Sequence, residues 1–224
     1  MFAVSQYEQI EAIERENKKP HLVAVLFIRP NLENADAIVS DFDYLHCRSG
    51  AWCSIYAAGY TNDSKMASNQ NYTKVTTCNG RDWFYSAHDY DNFRRQLKNR
   101  IPQWSYSGEV ELLLFQRSTS GPKAFDFRNY VSLNITYGQR KEYFSSFFGF
   151  FEEIMNCAEY ALEDFNRGLL TQTGKLRIRK IVELALIECG HEENDVKNIT
   201  KNRRFYRLSD PLRNQVSRDE DITE

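Results

Sequence analysis

Between His21 and Pro30 the chain reads His-Leu-Val-Ala-Val-Leu-Phe-Ile-Arg-Pro, and from Leu22 to Ile28 no polar side chain falls on either face of a pleated strand. A half-solvated strand would alternate polar and apolar residues. An unbroken run therefore demands cover on both sides, which an α/β layer structure supplies. Arg29-Pro30 ends the strand, since proline has no amide hydrogen for a ladder and restricts the residue before it.

The surrounding patterns supply the cover. Tyr7, Ile10 and Ile13 fall at helical spacing within Ser5 to Asn17, and Ala35, Ile38, Val39, Phe42 and Leu45 do the same after the Asn31–Asn34 turn. A second strand, Ala51 to Ala58, is entered through Arg48-Ser49-Gly50, so the order βαβ predicts a parallel pair with a right-handed crossover. Tyr72–Thr77 and Asp82–Ser86 flank Asn79-Gly80, a strong hairpin signal. Asp89 opens a helix through Phe93 and Leu97, closed by Pro102. Glu109 to Gln116, with Leu112-Leu-Leu-Phe115, is another doubly covered strand, and Ala124 to Ile135 alternates like an edge or antiparallel one.

From Tyr143 the pattern turns helical, with Gly168 as a stop, and Lys175 to Cys189 forms a further helix closed by Gly190. The expected fold is α/β: a central, mixed, largely parallel sheet flanked by helices, with a C-terminal helical layer and a polar tail. Residues 1–190 read as one domain that includes the helices of 143–190. Residues 191–224 read as a charged tail or docking segment.

Composition narrows the function classes. With 42% hydrophobic residues, 14% aromatics, 10 Gly and 5 Pro the chain is globular, and a formal charge of −2 provides no overall attraction to nucleic acid or to an anionic membrane. Residues 1–19 have no apolar core fit for a signal peptide, and no run approaches the roughly 18 apolar residues of a membrane span, so a cytoplasmic protein is expected. Five cysteines, an odd number without tight metal spacing, point to reduced thiols. The Asn-x-Thr triplets at Asn71, Asn134 and Asn198 would matter only in a secreted protein.

Three groups of residues are candidate sites. Ligands in open α/β sheets bind beyond the carboxyl ends of strands. That rule selects Arg29 and Asn31 after the first strand, Tyr60, Asn62 and Asp63 after the second, and Arg117, Ser118 and Ser120 after the Glu109 strand, a set suited to a phosphate or carboxylate. If the Ala51 and Glu109 strands are parallel, their two Ser-Gly entries meet at the opposite edge, bringing together Arg48, Ser49, Trp104, Tyr106 and Ser107; turn geometry alone also explains Ser-Gly there. The third group is Arg203, Arg204, Phe205 and Arg207, within a basic stretch that also holds Lys197, Lys201, Arg213 and Arg218, where cations and aromatics suit a partner surface or phosphates and bases.

Chemistry of a catalytic kind has little support. His21, His46, His88 and His191 are scattered, and His46 and Cys47, being adjacent, point in different directions. His88-Asp89-Tyr90-Asp91 reads as a helix start rather than a metal site, and Glu109 with Glu111 lacks the lysine at position 113 that a metal-dependent nuclease pattern would carry. No glycine-rich dinucleotide fingerprint or P-loop is present, so the cofactor stays unknown. The sequence points to an intracellular protein that binds or senses a small anionic ligand or docks on a protein partner as a subunit of a larger assembly. A nucleic-acid-binding accessory role and a hydrolase of unknown substrate stand as alternatives.

Overall fold

The structure, a computed structural model, describes residues 2–4, 6–16, 22–50, 52–118, 124–163 and 177–209. His21, Ala51, Ser120, Gly168, Lys175 and everything from Asp210 on, including Arg213 and Arg218, lie outside the described residues.

Strands β1 (Phe2–Val4), β2 (Leu22–Phe27) and β3 (Cys53–Ala58) run parallel, side by side in the order β1-β3-β2. Helix α1 (Tyr7–Glu16) joins β1 to β2, whereas α2 (Ala35–Ser40) and α3 (Phe42–Arg48) join β2 to β3. The two crossovers travel across the sheet in opposite directions, so right-handed connection places their helices on opposite faces. All six residues of β2 are buried, and so are all six of β3, as double cover requires.

On one flank β4 (Tyr60–Thr61), β6 (Asp82–Tyr85) and β5 (Thr73–Thr76) add antiparallel strands; on the other β7 (Glu111–Arg117), β8 (Phe125–Asn134) and β9 (Tyr206–Leu208) do so. Among the described residues the result is a sheet of nine strands in the order β5-β6-β4-β1-β3-β2-β7-β8-β9. Helix α4 (Ala87–Arg100) packs beside α1, with Phe93 and Tyr7 rings 6.5 Å apart. Helices α6 (Phe147–Glu163) and α7 (Ile178–Glu188) pair with each other on the α2–α3 face, where Tyr44 of α3 donates to Glu152 of α6 at 2.6 Å. No helix among the described residues is long and apolar enough to cross a membrane.

The mixed α/β fold, its central β3-β2-β7 strands, the Asn79-Gly80 hairpin and the C-terminal helical layer match the sequence expectation. Four features depart from it. The single helix expected over 35–45 breaks at Asp41, which lets Phe42 turn into an edge-to-face contact with Trp83 and lets buried Asp43 accept from Trp83 Nε1 at 3.2 Å. The strand after Pro102 lies antiparallel to β2, pairing Phe27 with Glu111 and Leu22 with Gln116. β8 is antiparallel to β7, one of the two expected readings, but it is not an edge, because β9 pairs with it. Finally, the domain does not end at Gly190: α8 (Glu193–Lys201) and β9 continue the fold to Ser209, and Phe205 is fully buried against Phe144, Phe150 and Tyr143.

Candidate functional site

The direction of β7 decides which candidate residues meet. Because β7 opposes β2 and β3, its entry loop lies at their carboxyl edge and its exit at their amino edge. The two groups expected at the sheet edges are therefore each split. Arg117 and Ser118 join Arg48 and Ser49 at the amino edge, while Trp104, Tyr106 and Ser107 join Arg29 and Tyr60 at the carboxyl edge.

The amino-edge set is tied into the scaffold. Ser49 Oγ accepts from the Ile55 amide at 2.9 Å, Arg48 pairs with Glu152 at 2.7 Å, Arg117 Nε donates to the Glu14 carbonyl at 2.5 Å, and the Ser118 amide donates to the Ala124 carbonyl at 2.8 Å. These groups complete a turn and hold helices to the sheet. Of the remaining residues, Asn31 and Asn62 are exposed, and Asp63 accepts from the Lys65 amide at 3.0 Å to start a 3-10 turn, Ser64–Ser68.

The carboxyl edge holds two clusters, one on each side of the Trp104–Gly108 loop. Glu111, fully buried, anchors that loop. It accepts from Trp104 Nε1 at 2.6 Å, the Ser107 amide at 2.7 Å, Ser132 Oγ at 2.5 Å and Arg207 at 2.7 Å. Arg207 also donates to the Ser105 carbonyl and to Ser132 Oγ. Arg207 is thus bound inward by a carboxylate, and Glu111 serves as a structural acid rather than one of a catalytic pair.

Beyond this anchor opens a cleft of about 480 Å³, lined by Arg203, Arg204, Arg207 and Arg140 together with Glu109, Asn134, Tyr137 and the Ser107-Gly108 turn. Helix α5 (Ile135–Arg140) starts at Asn134, whose Oδ1 accepts from the Tyr137 amide at 2.9 Å while its Nδ2 donates to Glu109 at 2.7 Å. Arg140 bridges Glu33 and Glu109 at 2.5 and 2.8 Å, and all three side chains remain partly exposed. Arg204 lies over the Tyr137 ring, 5.4 Å from its centre. Asn202 fixes the turn carrying both arginines: it donates to the Tyr137 and Tyr143 hydroxyls at 3.1 and 3.2 Å and accepts from the Arg204 amide at 3.0 Å. Arg203 is exposed and has no side-chain hydrogen bond or ion pair among the described residues.

The second cluster surrounds Arg29, whose guanidinium sits 5.6 Å from the centre of the Tyr90 ring. Tyr60 and Tyr85 rings are 5.0 Å apart, Tyr85 and Tyr90 6.0 Å, and Tyr90 and Tyr106 6.2 Å, so the four tyrosines form a chain, of which Tyr85, Tyr90 and Tyr106 interact with Arg29. The Tyr106 hydroxyl faces both Arg29 and Tyr90. Even so, Arg29 Nε and the hydroxyls of Tyr60, Tyr85, Tyr90 and Tyr106 are all buried, and none makes a hydrogen bond of good geometry: Tyr106 is near Arg29 and Tyr90 but poorly aligned with both. Burial pushes the Tyr85 hydroxyl up to about 12 and raises the other three above their ordinary value, so all four are neutral donors near pH 7. Leaving a buried polar group unpaired costs about 1–3 kcal/mol.

Of the residues found in these two clusters, sequence reasoning placed Arg29 and Tyr60 at this edge, named Trp104, Tyr106 and Ser107 at the opposite edge and Arg203, Arg204 and Arg207 in a tail, and missed Tyr85, Tyr90, Asn134, Tyr137 and Arg140. Tyr90 reads as a core position of α4, and nothing local signals that its hydroxyl faces Arg29. Phe205 is a core residue and is not available as a stacking surface. His46 and Cys47 remain adjacent on α3, His88 contacts Asn92, and His191 contacts the Tyr143 carbonyl. Among the described residues no group of three or more His, Cys, Asp or Glu is placed to hold a metal ion.

Comparison with known proteins adds no assignment: no family model matches the chain, no curated protein matches it, and no solved structure matches it.

Proposed function

We propose that the protein binds a small phosphate-bearing ligand in the cleft of Arg203 and Arg204. The observation that carries this reading is a preformed concavity in which two of the four lining arginines, Arg203 and Arg204, have no acidic partner among the described residues, while Glu111 holds Arg207 and Glu33 and Glu109 hold Arg140. Arg203 is unpaired among the described residues, and Arg204 has only the Tyr137 ring beside its guanidinium. A cleft of about 480 Å³ is of a size that takes a nucleotide-sized molecule. Guanidinium forks match phosphate oxygens in pairs, and holding the arginine turn through Asn202 lowers the entropy lost on binding. Arg140 adds a third cation, since its bridges to Glu33 and Glu109 are exposed enough to exchange for a ligand.

Calorimetric titration with inorganic pyrophosphate and with AMP at low salt tests the reading. Saturable binding is expected, weakened about tenfold or more in the R203Q/R204Q double variant with no change in melting temperature, because neither side chain holds the fold. Equal affinity in the double variant, or no binding of either compound, overturns it. A single-stranded RNA oligonucleotide tests the nucleic-acid alternative. Two free arginines limit the contribution of this turn to a salt slope of about 1.4, so a steeper slope would require an additional surface.

A further inference from the structure

We propose that Arg29, with the hydroxyls of Tyr60, Tyr85, Tyr90 and Tyr106, forms a second site that takes a carboxylate group. This proposal does not rest on the arginine cleft, whose lining includes none of these five residues. Four of these buried polar atoms, Arg29 Nε and the hydroxyls of Tyr85, Tyr90 and Tyr106, cluster at the carboxyl ends of parallel strands, where open α/β sheets bind ligands, and the Tyr60 hydroxyl extends the cluster beside Tyr85. Three of the hydroxyl-bearing side chains are more than nine-tenths buried, Tyr60, Tyr85 and Tyr90 at 0%, 7% and 1% exposure. An isolated orphan can be tolerated, but several together leave hydrogen-bonding capacity unmet: the guanidinium can only donate, and each neutral phenol keeps a proton to donate.

Charge selects among anions. Arg29 is the cation of the cluster, and acids flank it: Asp36 acts on Tyr60, Asp91 on Tyr85 and Glu111 on Tyr106. One positive charge balances one carboxylate, whereas a phosphate dianion would bring a second negative charge into a poorly solvated site already facing carboxylates. A carboxylate also matches the guanidinium fork while offering its remaining lone pairs to phenols. Arg29 and Tyr106 are the half-buried members, so entry is from their side, with the Tyr106 ring turning aside.

The experiment compares melting temperature in acetate, benzoate, phosphate and chloride at equal ionic strength, together with the ultraviolet difference spectrum of the tyrosines in the wild-type protein. Saturable stabilisation by the carboxylates beyond chloride and phosphate is expected, with a matching tyrosine difference signal. R29Q should abolish both responses and R203Q/R204Q should leave both intact. Y90F removes an orphan hydroxyl, so without carboxylate it should melt at or above the wild-type temperature while its carboxylate midpoint rises about tenfold, as loss of a bond to a charged group implies. Two results overturn the proposal: a wild-type protein that shows neither response, or Y85F and Y90F proteins that melt lower than wild type and keep the carboxylate response unchanged. Either would mean that the hydroxyls satisfy one another and cap the sheet. Stronger stabilisation by phosphate than by carboxylates would overturn the choice of ligand class.

Discussion

At the scale of single residues, Glu111 shows how a side chain with an ambiguous sequence signal acquires its role from burial. In the sequence Glu109 and Glu111 are equivalent neighbours on one strand face. In the fold Glu109 is partly exposed beside Arg140, while Glu111 is sealed among four donors. Replacing it by Leu strands the Arg207 guanidinium, the Trp104 indole and the Ser107 amide, and breaking such a buried pair costs about 3–5 kcal/mol. Urea unfolding should show that loss for E111L and a comparable one for R207M. The double variant should lose clearly less than their sum, since neither charge is then left alone. Gly59 is a second point of this kind. It has φ +77, and a Cβ there would lie 2.7 Å from Tyr90 Cβ and 2.8 Å from Tyr90 Cα. Both backbone strain and a clash with the first turn of α4 follow, so G59A should cost about 2–5 kcal/mol in the same assay. It should also displace Tyr90 from Arg29.

At the scale of elements, strands were easier to identify than to orient. Leu22–Ile28 and Leu112–Phe115 are apolar on both faces because helices cover both, so their existence follows from composition alone. The same uniformity removes any trace of direction: an apolar run without alternation looks identical in a parallel and an antiparallel neighbour. That one ambiguity, at β7, moved Arg117 and Ser118 to the amino edge and Trp104, Tyr106 and Ser107 to the carboxyl edge. β1 and β9 escaped notice for a different reason, since three residues carry no period. β9 nonetheless holds the molecule closed. Asn134 donates its amide to the Phe205 carbonyl at 2.8 Å, and Phe205 fills a space against Gly138, where a Cβ would lie 2.7 Å from both the Phe144 and Phe205 rings. Truncation after Gly190 therefore removes a sheet edge, a core aromatic and the partner of Glu111 at once. Such a chain should be insoluble or should elute as aggregate in size-exclusion chromatography, with far-ultraviolet signal below that of the full chain. A truncation that left a monomer with the full chain's melting temperature would contradict the packing described for β9.

At the scale of the whole molecule, tyrosine burial ties stability to alkaline pH. Desolvation is the leading cause of raised pKa values at nine tyrosines, Tyr7, Tyr44, Tyr56, Tyr60, Tyr72, Tyr85, Tyr90, Tyr106 and Tyr206, with Tyr72 and Tyr85 each at about 12. An unfolded tyrosine releases its proton near pH 10. Each of these groups therefore holds its proton more tightly in the folded state. Its contribution is fully present below about pH 10 and is lost as pH rises through the folded value, because the unfolded chain gains stability by ionising first. The losses add over groups spread from α1 to β9, so the protein should unfold cooperatively from about pH 10 upward rather than titrate residue by residue. Absorbance at about 295 nm, which reports phenolate, should rise steeply together with loss of circular dichroism, and reversing the pH before aggregation should reverse both. Tyr→Phe substitution at Tyr85 or Tyr90 removes one ionisation from each state and should move the alkaline midpoint upward. A smooth phenolate titration complete before any loss of secondary structure would show these rings to be open to solvent, and with them the carboxyl edge of the sheet.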